Sequence, residues 1–486
     1  MKKFLKIEAL FYVVFLSVCV FVLLQSPLAP LAKSSNGVDS SVFIYSAQQI
    51  LDGQLIYKDI VDHKGPFLYF INVMALLIFD GNFIGIWIFE ILSMFMSSII
   101  MYKTARFFAG RISAFLAVIT AILALSPVLS GGNFAEEWAL PFISAALYIF
   151  IAYLKENKPL SIIRLSVLSL TFVLVFMMKS NLTAIWAGFG IALLIKWIVE
   201  KKYTELVRNL SFILLFVLLS LLPFFLYFYC KGTLSDAVYL VFKFNMFEYV
   251  PRSNISVLRA SLKILSGGFF LSIIPVIAVI YLFFRDRTIL NGGILLAFVF
   301  SAIACALGIG LRFYVVIFSP LLVISYAYIF AGIEKTILKA KYACLLVIFI
   351  FCNLNIVFNQ TQYIRDNYSE VGYGLYTVPP PVMEMLKDVI NQNSNPMDKI
   401  LVKGYQASVY LSSGRICATR FPYPLRDASL SDKYYVEDAE KALPKLIIQG
   451  DIVNSWDSFD LEDLLNDKYR LTPTDIDGVE IWKLKE

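Results

Sequence analysis

The chain has 486 residues, 59% of them hydrophobic and only 16% charged, with a mean hydropathy of +0.73. That is too apolar for a set of soluble domains and indicates an integral membrane protein. The net charge of +6 does not point to nucleic acid, because the basic residues are scattered through short segments between apolar runs and form no stripe.

Uninterrupted apolar runs fall near residues 9–25, 83–102, 112–129, 138–154, 162–178, 182–199, 209–229, 264–284, 291–307, 313–333 and 342–358. Most match the roughly 17 to 25 residues needed to span a bilayer. The expected fold class is therefore an α-helical polytopic membrane protein of about eleven transmembrane helices. The basic start MKKFLK and the apolar run from 9 to 25 read as a retained signal anchor, since the run exceeds the usual h-region of about 7 to 15 residues. PLAPLAKSS offers small residues for the cleaved alternative.

Lys and Arg concentrate in short cytoplasmic loops. Lys2, Lys3 and Lys6; Lys103, Arg106 and Arg111; Lys155, Lys158 and Arg164; Lys196, Lys201, Lys202 and Arg208; Arg285 and Arg287; and Lys335, Lys339 and Lys341 can all face inward on one condition. The 14-residue run PFLYFINVMALLIF, 66–79, must not cross, and its length suits an interfacial helix better than a span. Residues 26–82 then form one large outer loop with interfacial helices, and SGGNFAEEW at 130–138, the loop 230–263 and everything after about 359 are also outside. A transmembrane domain is expected over 1–358. Residues 359–486, entered through TVPPPV at 377–382, alternate helix-like and strand-like patterns and read as a small extracytoplasmic α/β domain. Of six cysteines only Cys417 lies in that polar tail, and no disulfide framework or metal-ligand spacing is visible.

The candidate chemistry lies in the outer segments. Asp39 in VDSSVFIYSAQQILDG reads either as a helix N-cap or as a carboxylate held at the lipid–water boundary, able to take a proton from a hydroxyl. Glu136 and Glu137 stand without a neighbouring cation, at a helix start where the dipole favours acids or beside a cavity they would line. Lys179 and Arg312 break the charge rule at outer ends of spans; they snorkel to headgroups or, with Lys64, hold an anionic phosphate. YKDIVDHKGPF, 57–67, crowds charges and the sole histidine against an apolar run. Tyr57, Asp59, Asp62 and His63 there are candidates for ordering the loop or binding sugar. A single histidine excludes a multi-histidine metal site. Glu90, inside a span, is expected to pair with a neighbouring one. No glycine loop of the phosphate-cradling type occurs, which speaks against ATP or a soluble dinucleotide.

DSSVFIYSAQQILDGQLIYKDIVDHKGPFLYFINVMALLIFDGNF at 39–83, ARFFAG at 105–110 and SPVLSGGNFAEEWALPFISAALYIF at 126–150 resemble the C-type membrane glycosyltransferases that use polyprenyl-phosphate sugars. The branch is that of the protein O-mannosyltransferases and lipid A aminoarabinose transferase. Weaker echoes are MKSNLTAIW at 178–186 and LRFYVVIFSPLL at 311–322. The resemblance covers most of the first 200 residues and the remainder by architecture.

It implies Asp39 as catalytic base, Glu136 or Glu137 as support for the acceptor or the site geometry, and Arg312 on the lipid phosphate, whose growing charge Lys179 or Lys64 would otherwise meet. The family's usual first motif is Asp-Glu; this chain has Asp-Ser, so only the aspartate carries over. The implied reaction moves a sugar from a polyprenyl-phosphate donor to an acceptor hydroxyl at the extracytoplasmic face, with inversion. The acceptor is an unidentified glycan, lipid or protein. No cofactor is implied, although the outer carboxylates would tolerate a divalent metal, and the expected location is a bacterial plasma membrane. A transporter or flippase of lipid-linked saccharides would instead show inverted repeats and ionisable residues at mid-membrane. The remaining alternative is a non-catalytic envelope-assembly protein.

Overall fold

The computed structural model describes residues 2–156, 158–248, 269–306, 311–336, 341–372, 377–425, 429–453 and 460–485. Residues 249–263 of the expected outer loop, Lys339 and the start of the run at 264–284 lie outside them. The helices that follow the apolar runs are α1 (Lys2–Leu23), α4 (Ile84–Ala105), α5 (Arg111–Leu123), α6 (Leu140–Glu156), α7 (Ile162–Phe176), α8 (Ala184–Val199), α9 (Tyr203–Cys230), α10 (Phe269–Arg285), α11 (Ile289–Ala306), α12 (Ser319–Thr336) and α13 (Lys341–Asn367).

Among the described residues, seven helical stretches are long and apolar enough to cross a membrane: Ile84–Ala105, Arg111–Leu129, Ala135–Glu156, Ser180–Val199, Tyr203–Cys230, Arg312–Lys335 and Tyr342–Asn367. The apolar helices α1, α7, α10 and α11 occupy the other four expected runs. Hydroxyls inside these helices bond back to their own backbone, as Ser97 does to the Ser93 carbonyl and Thr171 to that of Val167. A lone polar side chain in an apolar helix is satisfied that way without breaking the helix.

Between α1 and α4, the chain forms α2 (Val38–Leu51) and α3 (Pro66–Ile78). At about 1.5 Å per residue, the 13 residues of α3 reach only about 20 Å, short of a roughly 30 Å hydrocarbon core. The run at 66–79 thus forms a helix too short to span.

The contacts divide the chain into two compact units, each assembled from separate stretches of sequence. The first comprises Met1–Leu24, Ile88–Leu226 and Arg252–Gln362. Within it α8 packs on α11, α12 on α5 and α1 on α5. A Cβ on Gly188 would lie 2.5 Å from the Ala297 backbone nitrogen, so glycine is what lets α8 and α11 approach. The Gln360 amide donates to the Phe21 and Val22 carbonyls at 2.7 and 2.9 Å, satisfying two orphan acceptors at the end of α1.

The second unit comprises Gln25–Trp87, Tyr227–Pro251 and Tyr363–Glu486. Its C-terminal part runs α14 (Pro380–Asn393), β1 (Lys399–Val402), α15 (Ser408–Ser413), β2 (Ile416–Cys417), α16 (Ser429–Ala442), β3 (Leu446–Gln449), α17 (Glu462–Lys468), β4 (Tyr469–Thr472) and β5 (Glu480–Leu484). The sheet order is β2-β1-β3-β5-β4, parallel across β2, β1 and β3 and antiparallel across β3, β5 and β4. Strands β1 and β3 carry the buried Ile400, Leu401, Val402, Leu446, Ile447 and Ile448, the near-continuous apolar runs of a sheet covered on both faces. Helix α2 packs on α3 and on α15. The Cys417 amide donates to the Tyr45 hydroxyl at 2.8 Å and the Val61 amide to the Arg420 carbonyl at 2.7 Å. Loop residues of the first hundred are in this way hydrogen-bonded into the C-terminal sheet domain.

Candidate functional site

In the second unit, the segment 57–67 is folded around one carboxylate. Tyr57 adopts a left-handed φ of 72° and its amide donates to the Ile60 carbonyl at 2.7 Å, closing a tight loop that the Asp59 carboxylate braces through the Leu55 amide at 2.8 Å. Asp62 is fully buried and accepts from the His63 amide at 2.6 Å, the Tyr423 hydroxyl at 3.0 Å and the Tyr69 hydroxyl. Burial works to raise its carboxyl, but the Lys64 charge and the bonds from His63 and Tyr69 outweigh burial and hold it well below the usual carboxylate range. Burial and the Asp62 charge in turn push the hydroxyls of Tyr57 and Tyr69 far up.

His63 places Nδ1 3.1 Å from the Asp62 carboxylate and Nε2 3.1 Å from Lys64 Nζ. An ammonium can only donate, so Nε2 accepts from Lys64. The Asn245 amide donates to the His63 carbonyl and the Tyr57 hydroxyl to that of Lys64, both at 2.7 Å. Lys64 is thus fixed at its backbone and at its ammonium. Gly65 and Pro66 then start α3, proline standing where its missing N–H costs nothing.

Asp39 occupies the first turn of α2 and is partly buried. The N-cap is Gly37, with extended φ −64° and ψ 165°, so the helix begins before Asp39 and the capping role read from DSS is corrected. Val38 is already helical, which carries the Asp39 carboxylate past the cap to the helix N-terminus, a position that favours negative charge. Among the described residues no ion pair or side-chain hydrogen bond engages it.

In the first unit, SGGN takes four consecutive left-handed residues, with φ of 47°, 102°, 87° and 59° at Ser130, Gly131, Gly132 and Asn133. This run turns the Asn133 amide toward two buried carboxyls, Glu90 Oε1 at 2.5 Å and Glu137 Oε2 at 3.0 Å. Glycine at 132 is required on two counts: its φ, and a Cβ there that would come within 2.6 Å of Glu90 Oε1. The Trp138 indole donates to the Asn133 side chain at 2.9 Å. Glu136, buried, pairs with Lys179 at 2.7 Å, and the Lys179 ammonium lies 3.9 Å from the centre of the Tyr314 ring. Arg312, at the start of a 3-10 helix (Arg312–Phe318), is exposed and makes no ion pair among the described residues.

The structure therefore joins Tyr57, Asp62, His63 and Lys64 in one network and Glu136 with Lys179 in an ion pair, which neutralises the lysine. It brings Glu90 together with the side chain of Glu137, at the start of the Ala135–Glu156 stretch, as well as with the turn at 133. Tyr69, Asn245 and Tyr423 were not anticipated; Tyr69 stands seven residues after Asp62 in the same quoted segment, while nothing local marks Tyr423. Among the described residues no cluster of three or more His, Cys, Asp or Glu could hold a metal ion.

No protein-family model matches the sequence, and no curated protein does either. Solved structures do. ArnT from Cupriavidus metallidurans bound to undecaprenyl phosphate superposes with a TM-score of 0.67 at 12% identity, covering 98% of this chain and 97% of that one. This chain has the GT-C fold. The same ArnT in the apo state matches with a TM-score of 0.63 at 13% identity, covering 98% of both chains. A more distant GT-C structure is the Archaeoglobus fulgidus oligosaccharyltransferase tethered with an acceptor peptide, with a TM-score of 0.53 at 12% identity over 97% of this chain and 74% of that one. The GT-C assignment bears out the architecture that the resemblance implied: a multi-pass helical membrane protein with a small C-terminal sheet.

Proposed function

We propose that the protein is a glycosyltransferase that moves a sugar from a polyprenyl-phosphate donor to an acceptor hydroxyl, with inversion, at the extracytoplasmic face of a bacterial plasma membrane. The observation that carries this reading is the end-to-end match to a GT-C protein whose structure holds undecaprenyl phosphate. A second GT-C structure, of AglB, is a complex with dolichol-phosphate, at a TM-score of 0.51.

Asp39 takes the proton of the acceptor hydroxyl as that oxygen attacks the anomeric carbon. The bond from that carbon to the phosphate oxygen breaks on the opposite side, and polyprenyl phosphate departs with the electron pair. Lys64, held by His63 and by the Tyr57 hydroxyl, meets the growing phosphate charge as a fixed point charge that needs no reorganisation during the step. Arg312, by the resemblance, also serves the phosphate, a role for which its unpaired fork is suited. Lys179 is committed to Glu136 and is assigned the holding of that carboxylate, which supports acceptor geometry. One displacement at one base predicts a product anomer opposite to that of the donor.

The test is transfer from a radiolabelled polyprenyl-phosphate sugar by the purified protein in nanodiscs. Asp39→Asn should lower kcat by about two to four orders of magnitude, the usual contribution of a general base. Undiminished transfer by that variant would remove the assignment, and translocation of the intact donor without product would favour a flippase.

A further inference from the structure

Outside the network around Asp62, the second unit contains a cleft of about 530 Å³ between the end of α2, the loop after it, the edge of the sheet and the end of α16. The volume lies within the roughly 300–1,000 Å³ of small-molecule sites. Its charges do not cancel. Arg420 is spent in a two-point bond with Asp438, both contacts at 2.8 Å, and Lys441 pairs with Glu437 at 2.5 Å. The Asp59 carboxylate accepts from the Leu55 amide and keeps its negative charge, which offsets one lysine and leaves the cleft positive by one. Burial pushes the Cys417 thiol up, so no thiolate adds negative charge. Lys58 and Lys399 remain, both exposed at the cleft and without an ion pair among the described residues.

The cleft also receives Gln49, a residue 8% exposed overall, whose side-chain amide makes no hydrogen bond among the described residues and is open to the cleft. An amide left open at the wall of a cleft offers two donors and an acceptor to whatever enters. Its donor and acceptor can bridge two neighbouring hydroxyls, while the two lysines attract an anion above them.

We propose that this cleft binds a saccharide bearing a phosphate or carboxylate, and that such a sugar is part of the acceptor; the second half rests on the glycosyltransferase reading above. Gln49 takes the hydroxyls, and Lys58 with Lys399 takes the charge.

The experiment is titration calorimetry on the full chain in phosphatidylcholine nanodiscs, with glucose 6-phosphate, glucose and inorganic phosphate as probes. Glucose 6-phosphate should bind at least about tenfold more tightly than either of the others. The double variant Lys58→Ala/Lys399→Ala, at two exposed positions, should lose about tenfold in affinity for it while keeping the wild-type unfolding midpoint. Gln49→Ala should weaken glucose 6-phosphate and leave phosphate unaffected. Equal binding of glucose, or wild-type affinity in the double variant, overturns the inference. Phosphate binding as tightly as the sugar phosphate makes the cleft an anion or headgroup site and overturns its saccharide half. Asp39→Asn should bind glucose 6-phosphate like the wild type. If that variant still transfers sugar, the enzymatic reading fails and the cleft stands; if transfer is lost while the lysine variants bind normally, only the cleft inference fails.

Discussion

Replacing Asp62 by asparagine tests the energetics of the loop that holds Lys64. The wild-type carboxylate accepts from the His63 amide and the hydroxyls of Tyr69 and Tyr423 at a site with no solvent exposure. Hydrogen bonds to a charged group contribute roughly 1.5–3 kcal/mol each, against roughly 0.5–1.5 for neutral pairs. Three such differences come to about 3–4 kcal/mol, close to the roughly 3–5 kcal/mol lost when one member of a buried charged set is removed. Asp62→Asn should therefore lower unfolding stability by about 3–4 kcal/mol at pH 7, read by tryptophan fluorescence during denaturant unfolding in detergent.

The pH dependence has a definite sign. The folded carboxyl lies below its ordinary value, so its contribution is complete above the unfolded pKa near 4 and is lost as pH falls below that toward the folded value. The gap between wild type and variant should be flat from pH 8 to about 5 and narrow below about 4. A gap under about 1 kcal/mol at pH 7, or one that widens on acidification, would refute the proposed network.

Gly132→Ala should cost about 3–5 kcal/mol, combining left-handed strain of roughly 1–2 with displacement of Glu90 from its bond to the Asn133 amide. Gly53→Ala, at φ 91° with open space around it, should cost only the strain, and equal losses at the two positions would show that Glu90 yields freely. Gly188→Ala should destabilise by about 1–3 kcal/mol or more, since the Cβ meets the Ala297 backbone and cannot be relieved by a rotamer change. Lys64→Ala should raise the KM for donor and lower kcat, whereas His63→Ala, which only loosens Lys64, should do so to a smaller extent; initial-rate kinetics separate the two. In intact cells, cysteines at the exposed positions Asp59 and Lys399 should react with an impermeant thiol reagent and one at Tyr203 should not; labelling at 203 would reverse the membrane orientation.

Much of the architecture is written in local pattern. Runs such as IALLIKWIV and LLFVLLSLLPFFLY must satisfy their backbone internally in lipid, and a helix is the local way to do it, so their positions were legible. KILV, LIIQ and EIWKL likewise announced strands, while the two-residue β2 and the edge strand β4 carry too short a pattern to be read. In LEDLLNDKY the helix ends at Lys468, and Tyr469 turns into β4, where its ring is buried. In the site, the crowding of charge at 57–67 was visible, but not its organisation: Tyr423 reaches Asp62 across 361 residues. The Asn133 amide that meets Glu90 was not legible, because a backbone amide leaves no mark in sequence.

By itself, then, the sequence determined where the chain can enter lipid, that residues 66–78 are too few to cross, and that the tail folds as α/β. These follow from hydrophobic length and period, which are properties of contiguous residues. Only the tertiary structure decided that residues 25–87 fold with the C-terminal sheet domain, that Asp62 becomes a buried acceptor of three donors, and that Lys179 is spent on Glu136. Such pairings depend on which distant groups are desolvated together, and no local pattern encodes that.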